Sequence, residues 1–399
     1  MIRPCHVALR GRSIRQRACL TLALALLVVT AGAAGASGRT HAQPPARPAP
    51  EPRVERPSPA PGPGPAAPPR LQAGAAALID VASGRLLYAK AGQTAGYPAS
   101  ITKILTALVA VRKLDLDLPV TVTPRAAAAE GSSMYLRAGM RLPVRDLLYG
   151  LLLESGNDAA RALAEAVAGS EANFAALMNA EARRLGAVHT HFTNASGLPD
   201  EHHVTTAVDM ARITRAALMD PTIRQIVSTP VWRVRWPDGT WHWLVNHNRL
   251  LGRPLDGVKT GYTRAAGNTF VGSATRDGWQ LAVVVLRDNL HAQYEDTLQL
   301  LDWGWRNFRR VPVPGLEGPV RLPTGDGRSV VLTTAGPSPF VLPVRAGEQS
   351  RIRVQRLLPA SWPSRLAAGE RVGVAVIRIG QEPVAEVPLV TALPLESRR

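Results

Sequence analysis

Cysteine is almost missing from this 399-residue chain: Cys5 and Cys19 are the only two, and both fall within the first twenty residues. A mature form without that segment carries no thiol, which excludes a disulfide scaffold, a cysteine nucleophile and a cysteine-based zinc site. Lysine is nearly as scarce, with Lys90, Lys103, Lys113 and Lys259 set against 43 arginines. In a chain that uses arginine by default, each lysine asks for a reason. Beyond the N-terminus no apolar run is long enough to span a bilayer. The length suits roughly two domains.

The formal charge is +17, from 47 basic and 30 acidic residues. Such a surplus first suggests a nucleic-acid or membrane binder. Six of the arginines lie in residues 1–42, where there is no acid, and the rest of the surplus is spread thinly without an aromatic-interleaved basic stripe. Nucleic acid is therefore excluded as a partner. Residues 1–42 have the layout of an export signal: Arg3, Arg10, Arg12, Arg15 and Arg17, an apolar run from Leu20 to Val29, then small residues with cleavage points after Ala36 or Ala42. The segment is either a cleaved signal peptide or, with the Ala/Gly-rich run added, an uncleaved anchor. Residues 43–70 hold twelve of the 34 prolines and read as an extended polyproline-like linker, at most about 85 Å long.

Globular patterning begins near Ala75. Runs at 76–81 and 85–90 predict a hairpin, and the apolar spacing of 100–114 predicts a buried helix opening at a serine. Residues 143–218 read as several helices, broken at Ser155-Gly156-Asn157 and across 194–203, and strands are expected at 231–235, 257–261, 268–276 and 280–287. Strands at both ends of a helical middle indicate an α/β (α+β) fold, an antiparallel sheet flanked by helices with a helical subdomain, over residues 71–310. Residues 311–399, rich in Val, Pro and Gly, are expected to form a small all-β C-terminal domain.

Three motifs carry chemistry: Ser100-Ile-Thr-Lys103 on the first long helix, Ser155-Gly156-Asn157 between two helices, and Lys259-Thr260-Gly261 on a strand. The three-residue spacing puts Lys103 one turn after Ser100 on the same face. A serine hydroxyl needs a base within hydrogen-bond reach, and a lysine serves when burial and a second cation lower its pKa; arginine stays protonated and fails there. Singly each motif is weak, since Ser100 alone reads as an N-cap and Lys259 as a solvated strand charge. Order and setting together point to a catalytic serine.

The set resembles the active-site-serine penicillin-recognising enzymes, and within them the D-alanyl-D-alanine carboxypeptidases, the low-molecular-mass penicillin-binding proteins, with their β-lactamase/transpeptidase-like fold. The resemblance rests on Pro98-Ala-Ser-Ile-Thr-Lys103, Leu153-Glu-Ser-Gly-Asn-Asp158, Asp256-Gly-Val-Lys-Thr-Gly-Tyr-Thr263 and Asn194-Ala-Ser-Gly-Leu-Pro199. It implies serine acyl transfer on peptidoglycan stem peptides ending in D-Ala-D-Ala, no cofactor or metal, and β-lactam antibiotics as covalent inhibitors. It makes Ser100 the nucleophile, Lys103 the general base, Ser155 the proton relay, and Asn157 a holder of Lys103 and of a substrate amide. Lys259 and Thr260 would bind the terminal carboxylate, beside Gly261, and the backbone N–H groups of Ser100 and Tyr262 would form the oxyanion hole. Arg287, at a strand end, is a further candidate for the carboxylate.

Tyr262 stands where several relatives have histidine. Membrane attachment, where it occurs, is expected through the N-terminus, and the protein is expected in the periplasm or cell envelope. A D,D-endopeptidase is the runner-up; a β-lactamase and an inactive wall-binding protein fit less well. His189 with His191, and His202 with His203, have no accompanying ligand set and read as loop histidines. Trp232, Trp236, Trp241 and Trp243 surround a hairpin and read as packing residues, with a substrate-groove role as the alternative.

Overall fold

The structure is a computed structural model and describes residues 67–336 and 338–395. The expected export signal and nearly all of the proline-rich linker lie outside the described residues. In chain order the elements are β1 (Ala75–Asp80), β2 (Leu86–Lys90), a 3₁₀ turn (Ala99–Thr102), α1 (Lys103–Lys113), β3 (Pro119–Thr121), α2 (Pro124–Ala127), β4 (Arg141–Pro143), α3 (Val144–Leu152), α4 (Asn157–Ala168), α5 (Glu171–Arg184), α6 (Ala207–Met219), α7 (Pro221–Val227), β5 (Val231–Arg235), β6 (Trp241–Val245), β7 (Gly257–Thr263), β8 (Gly267–Arg276), β9 (Trp279–Asp288) and α8 (Ala292–Asn307). After these come β10 (Arg309–Pro312), β11 (Val320–Pro323), β12 (Ser329–Thr334), β13 (Val341–Val344), β14 (Ile352–Leu357), β15 (Arg371–Ile379) and β16 (Glu382–Thr391).

The central sheet has the order β2-β1-β9-β8-β7, and every pairing is antiparallel. Side chains alternate across a strand, so one strand serves two cores. Ala75, Ala77 and Ile79 of β1, with Ala282, Val284 and Leu286 of β9, face the helical side, where α6 lies on the sheet and α1 lies behind it. Ala76 and Leu78, with Leu281, Val283 and Val285, face α8. A fully buried Leu or Val stabilises by about 1.5–3 kcal/mol, so this double use explains near-continuous apolar strands where half-exposed ones would alternate with polar residues. Helix α8 was not anticipated from the sequence. It packs closely because position 304 is glycine, where a Cβ would lie 2.7 Å from a Leu78 methyl.

Among the described residues the C-terminal part is all-β apart from a single 3₁₀ turn at Gln349–Arg351, as its composition suggested. One antiparallel sheet of order β11-β12-β16-β15-β14 and the pair β10-β13 enclose a separate core around Leu332, Leu342, Ile377 and Leu389. Arg85 joins it to the central sheet, donating to Glu348 at 2.9 Å and to the Pro343 carbonyl. Among the described residues no helix is long and apolar enough to cross a membrane.

Candidate active site

The first motif does not begin as the sequence suggests. Pro98, not Ser100, takes the position before the 3₁₀ turn, and no side chain caps it. Ser100 lies inside the turn, so its hydroxyl is not committed to helix capping. Ala99, directly before it, has φ +51°, a costly value for a side-chain-bearing residue. Two neighbours hold it there. Gly197, at φ +85°, lies so close that a Cβ would sit 1.9 Å from the Ala99 carbonyl oxygen, and Thr269 Oγ1 donates to the Pro98 carbonyl at 2.8 Å. Asn194 Oδ1 accepts from the N–H groups of Ser196, Gly197 and Leu198 and fixes the loop that presses on the turn. From the other side β7 approaches at Gly261, whose Cβ would fall 3.0 Å from the Ser100 nitrogen. Glycine there lets the two backbones meet.

Lys103 is wholly buried. Its Nζ lies 3.0 Å from Ser100 Oγ, 2.7 Å from Asn157 Oδ1 and 2.6 Å from the Ser196 carbonyl. A neutral amine has two N–H donors and one lone pair. Once the amine is deprotonated, the amide oxygen and the carbonyl take both donors, which leaves the lone pair for the Ser100 hydroxyl proton. Burial lowers the Lys103 pKa well below 10.5, and the charge of Lys259 lowers it further, against a smaller opposing effect of Asp158. Lys259 is itself buried, its Nζ donates to the Thr260 carbonyl at 3.0 Å, and burial brings its pKa down to about 7, with Glu154 pulling the other way.

The second motif follows α3 as expected. Ser155 takes φ +62° and turns the chain into α4, whose first residue is Asn157. The Asn157 amide nitrogen donates to the Glu130 carbonyl at 2.6 Å, so part of the donor capacity expected for substrate is already used. Asp158 accepts from Ser133 Oγ and from the Met134 and Leu136 N–H groups, tying the 130–136 loop against the site.

These elements surround a polar cleft of about 340 Å³ that contains Ser100, Ser155, Thr260, Gly261 and Tyr262. Lys103, Asn157 and Lys259 lie behind its wall. The cleft also holds Ser132, His247, Arg249, Asn268, Gln293 and Tyr294, none singled out from the sequence. Arg249 belongs to the Asn246–Arg249 run that follows the tryptophan hairpin, and a short polar run directly before the third motif was the available signal. Arg287 does not line the cleft. Its backbone has φ +53° and its guanidinium donates to the Ala95 carbonyl at 3.1 Å.

His203 is a core residue: its ring lies 2.9 Å from Thr102 Oγ1 and accepts from the Thr193 N–H. Burial is the main reason its pKa falls to about 4, so it is neutral at physiological pH. Among the described residues no group of three or more His, Cys, Asp or Glu is placed to hold a metal ion.

The fold is that of the penicillin-binding and transpeptidase proteins. It is similar to penicillin binding protein 5 from Haemophilus influenzae, with a TM-score of 0.64 and 28% identity, covering 83% of this chain and 100% of that one. The sequence is 30% identical to D-alanyl-D-alanine carboxypeptidase DacF of Bacillus subtilis over 80% of this chain and 84% of the relative. It is 33% identical to DacD of Escherichia coli over 81% and 87%. Residues 64–289 match the family described as D-alanyl-D-alanine carboxypeptidase. The chain belongs to that family of peptidases.

Proposed function

We propose that the protein is a serine D,D-carboxypeptidase that removes the terminal D-alanine from peptidoglycan stem peptides through an acyl-enzyme on Ser100. The observation that carries the reading is the position of Lys103 Nζ, 3.0 Å from Ser100 Oγ and held by Asn157 Oδ1 and the Ser196 carbonyl. Ser100 Oγ attacks the carbonyl of the penultimate D-alanine and its proton passes to Lys103 Nζ. The resulting ammonium is held by Asn157 Oδ1 and the Ser196 carbonyl. The oxyanion lies between the N–H groups of Ser100 and Tyr262, where one donor is typically worth about 2.7–4 kcal/mol. The C–N bond then breaks, and D-alanine leaves as the amine with a proton relayed through Ser155. Water attacks the ester by the same route and frees the shortened peptide.

Thr260 and Arg249 receive the terminal carboxylate, while Lys259 acts from behind the wall by keeping Lys103 neutral. A penicillin enters the same cleft and acylates Ser100. In this reading residues 1–42 export the chain to the cell envelope, 43–70 form a spacer, 71–310 catalyse, and 311–399 form the β-rich domain. The test is release of free D-alanine from a pentapeptide, compared with cleavage of a cross-linked dimer. D-Alanine release with the dimer left intact is expected; the reverse would make the protein an endopeptidase.

A further inference from the structure

The β5–β6 hairpin carries a face that the reaction does not use. Its register pairs Val231 with Val245, Arg233 with Trp243 and Arg235 with Trp241. All six therefore share one side, and all are exposed, Trp243 by 62% and Trp241 by 49%. The opposite side is packed: Trp232 stacks on Tyr149 and donates to Asp146, while Val234 and Leu244 are buried. The hairpin is thus rigidly seated, and its outer face is apolar surface crossed by two cations. The Arg233 guanidinium lies 4.1 Å from the Trp241 ring centroid and 5.7 Å from that of Trp243, and Arg235 lies 5.9 Å from Trp241. Stacking of this kind holds indole and guanidinium in place before any partner arrives.

We propose that this face docks the sugar–peptide polymer from which the cleft takes its stem peptide, a partner of pyranose rings and carboxylate-bearing peptides. The inference rests on the carboxypeptidase reading above. Two observations select this occupant. The face is continuous with the cleft: the outward positions 241, 243 and 245 are followed at the same two-residue step by His247 and Arg249, which line it. The Val245 N–H also donates to Glu154, the neighbour of Ser155. At about 3.3 Å per residue the platform extends roughly 13 Å from Val245 to Trp241, long enough to seat a chain that leaves the cleft on this side. The chemistry matches as well, since indole rings cover the apolar faces of sugars and arginines form paired hydrogen bonds to carboxylates.

The test uses the full chain and the variants Trp241→Ala/Trp243→Ala and Arg233→Gln/Arg235→Gln. D-Alanine release is measured on a soluble pentapeptide and on isolated wall sacculi, together with cosedimentation with sacculi and the rate of penicillin acylation. The expected result is unchanged acylation and soluble-peptide turnover, with sacculus turnover and cosedimentation falling on the order of tenfold, because buried Trp and Arg anchors dominate such contacts. A parallel fall on both substrates would overturn the proposal, as would no change on sacculi. Wild-type flotation with phosphatidylglycerol vesicles in place of sacculus binding would also overturn it. Failure of the carboxypeptidase reading would show separately, as no release from the soluble peptide, and cosedimentation does not depend on that activity.

Discussion

Beneath the cleft, Lys103 and Lys259 are cut off from water, whereas on the hairpin Arg233 and Arg235 stand in solvent against Trp241 and Trp243. The two regions handle positive charge in opposite ways. Burial penalises an ammonium, so both interior lysines have lowered pKa values, and Lys103 can serve as a base while Lys259 still carries charge below about pH 7. A guanidinium keeps its charge in either setting and is therefore placed where charge is displayed. The comparison accounts for the composition: a chain with 43 arginines keeps lysine at the two buried positions of its motifs.

The contrast fails most visibly if the serine is not the nucleophile. Ser100→Ala is expected to lower kcat/KM by on the order of a thousandfold or more, as nucleophile removal does elsewhere, and to abolish covalent labelling by penicillin seen by mass analysis. Lys103→Arg keeps approximate length but carries a permanent charge, and should lose about 10²–10⁴-fold in acylation rate, the range for loss of a general base. Retained activity would show that the lysine is no base. Gly261→Ala brings a Cβ to 2.4 Å from Thr269 Oγ1 and 3.0 Å from the Ser100 nitrogen. It should slow acylation about a hundredfold by displacing the oxyanion donors while leaving the melting transition cooperative.

The pH profile sharpens the comparison between the two lysines. Lys103 must be neutral, so the acylation rate climbs with pH as it loses its proton. Lys259 must be charged, and with a pKa of about 7 it loses that charge as pH rises further. A bell results, with its alkaline limb near 7. Lys259→Arg should move that limb upward, since arginine does not deprotonate; a limb that stays in place would assign it to another group. The smallest effect separates two arginines: Arg249→Ala should raise KM about tenfold with kcat little changed, and Arg287→Ala should leave both within about twofold.

Much of this was legible before the fold was known, for identifiable reasons. Strands β1, β8 and β9 announce themselves because apolar side chains are needed on both faces, and the breaks at Ser155 and Asn194–His203 fall where glycine and polar residues interrupt helical spacing. Helix α8 was missed because its buried face mixes Gln293, Asp296, Thr297 and Gly304 with Leu300 and Leu301, which blurs the apolar stripe. The Ser196 carbonyl was invisible because a backbone acceptor leaves no mark in residue identity. Arg287 was a carboxylate candidate because the direction of a side chain at a strand end depends on a local φ that the sequence does not state, whereas Arg249, in a loop with no motif, was not singled out.

The central claim is that burial lowers the Lys103 pKa so that its amine can act as the base. With only four lysines in the chain, ¹³C-labelled lysine gives an NMR spectrum in which the Lys103 Cε signal is assigned by its loss in Lys103→Arg. Following that signal against pH measures the claim directly. The account predicts a titration well below 10.5. A signal that remains that of an ammonium up to about pH 10 would contradict it.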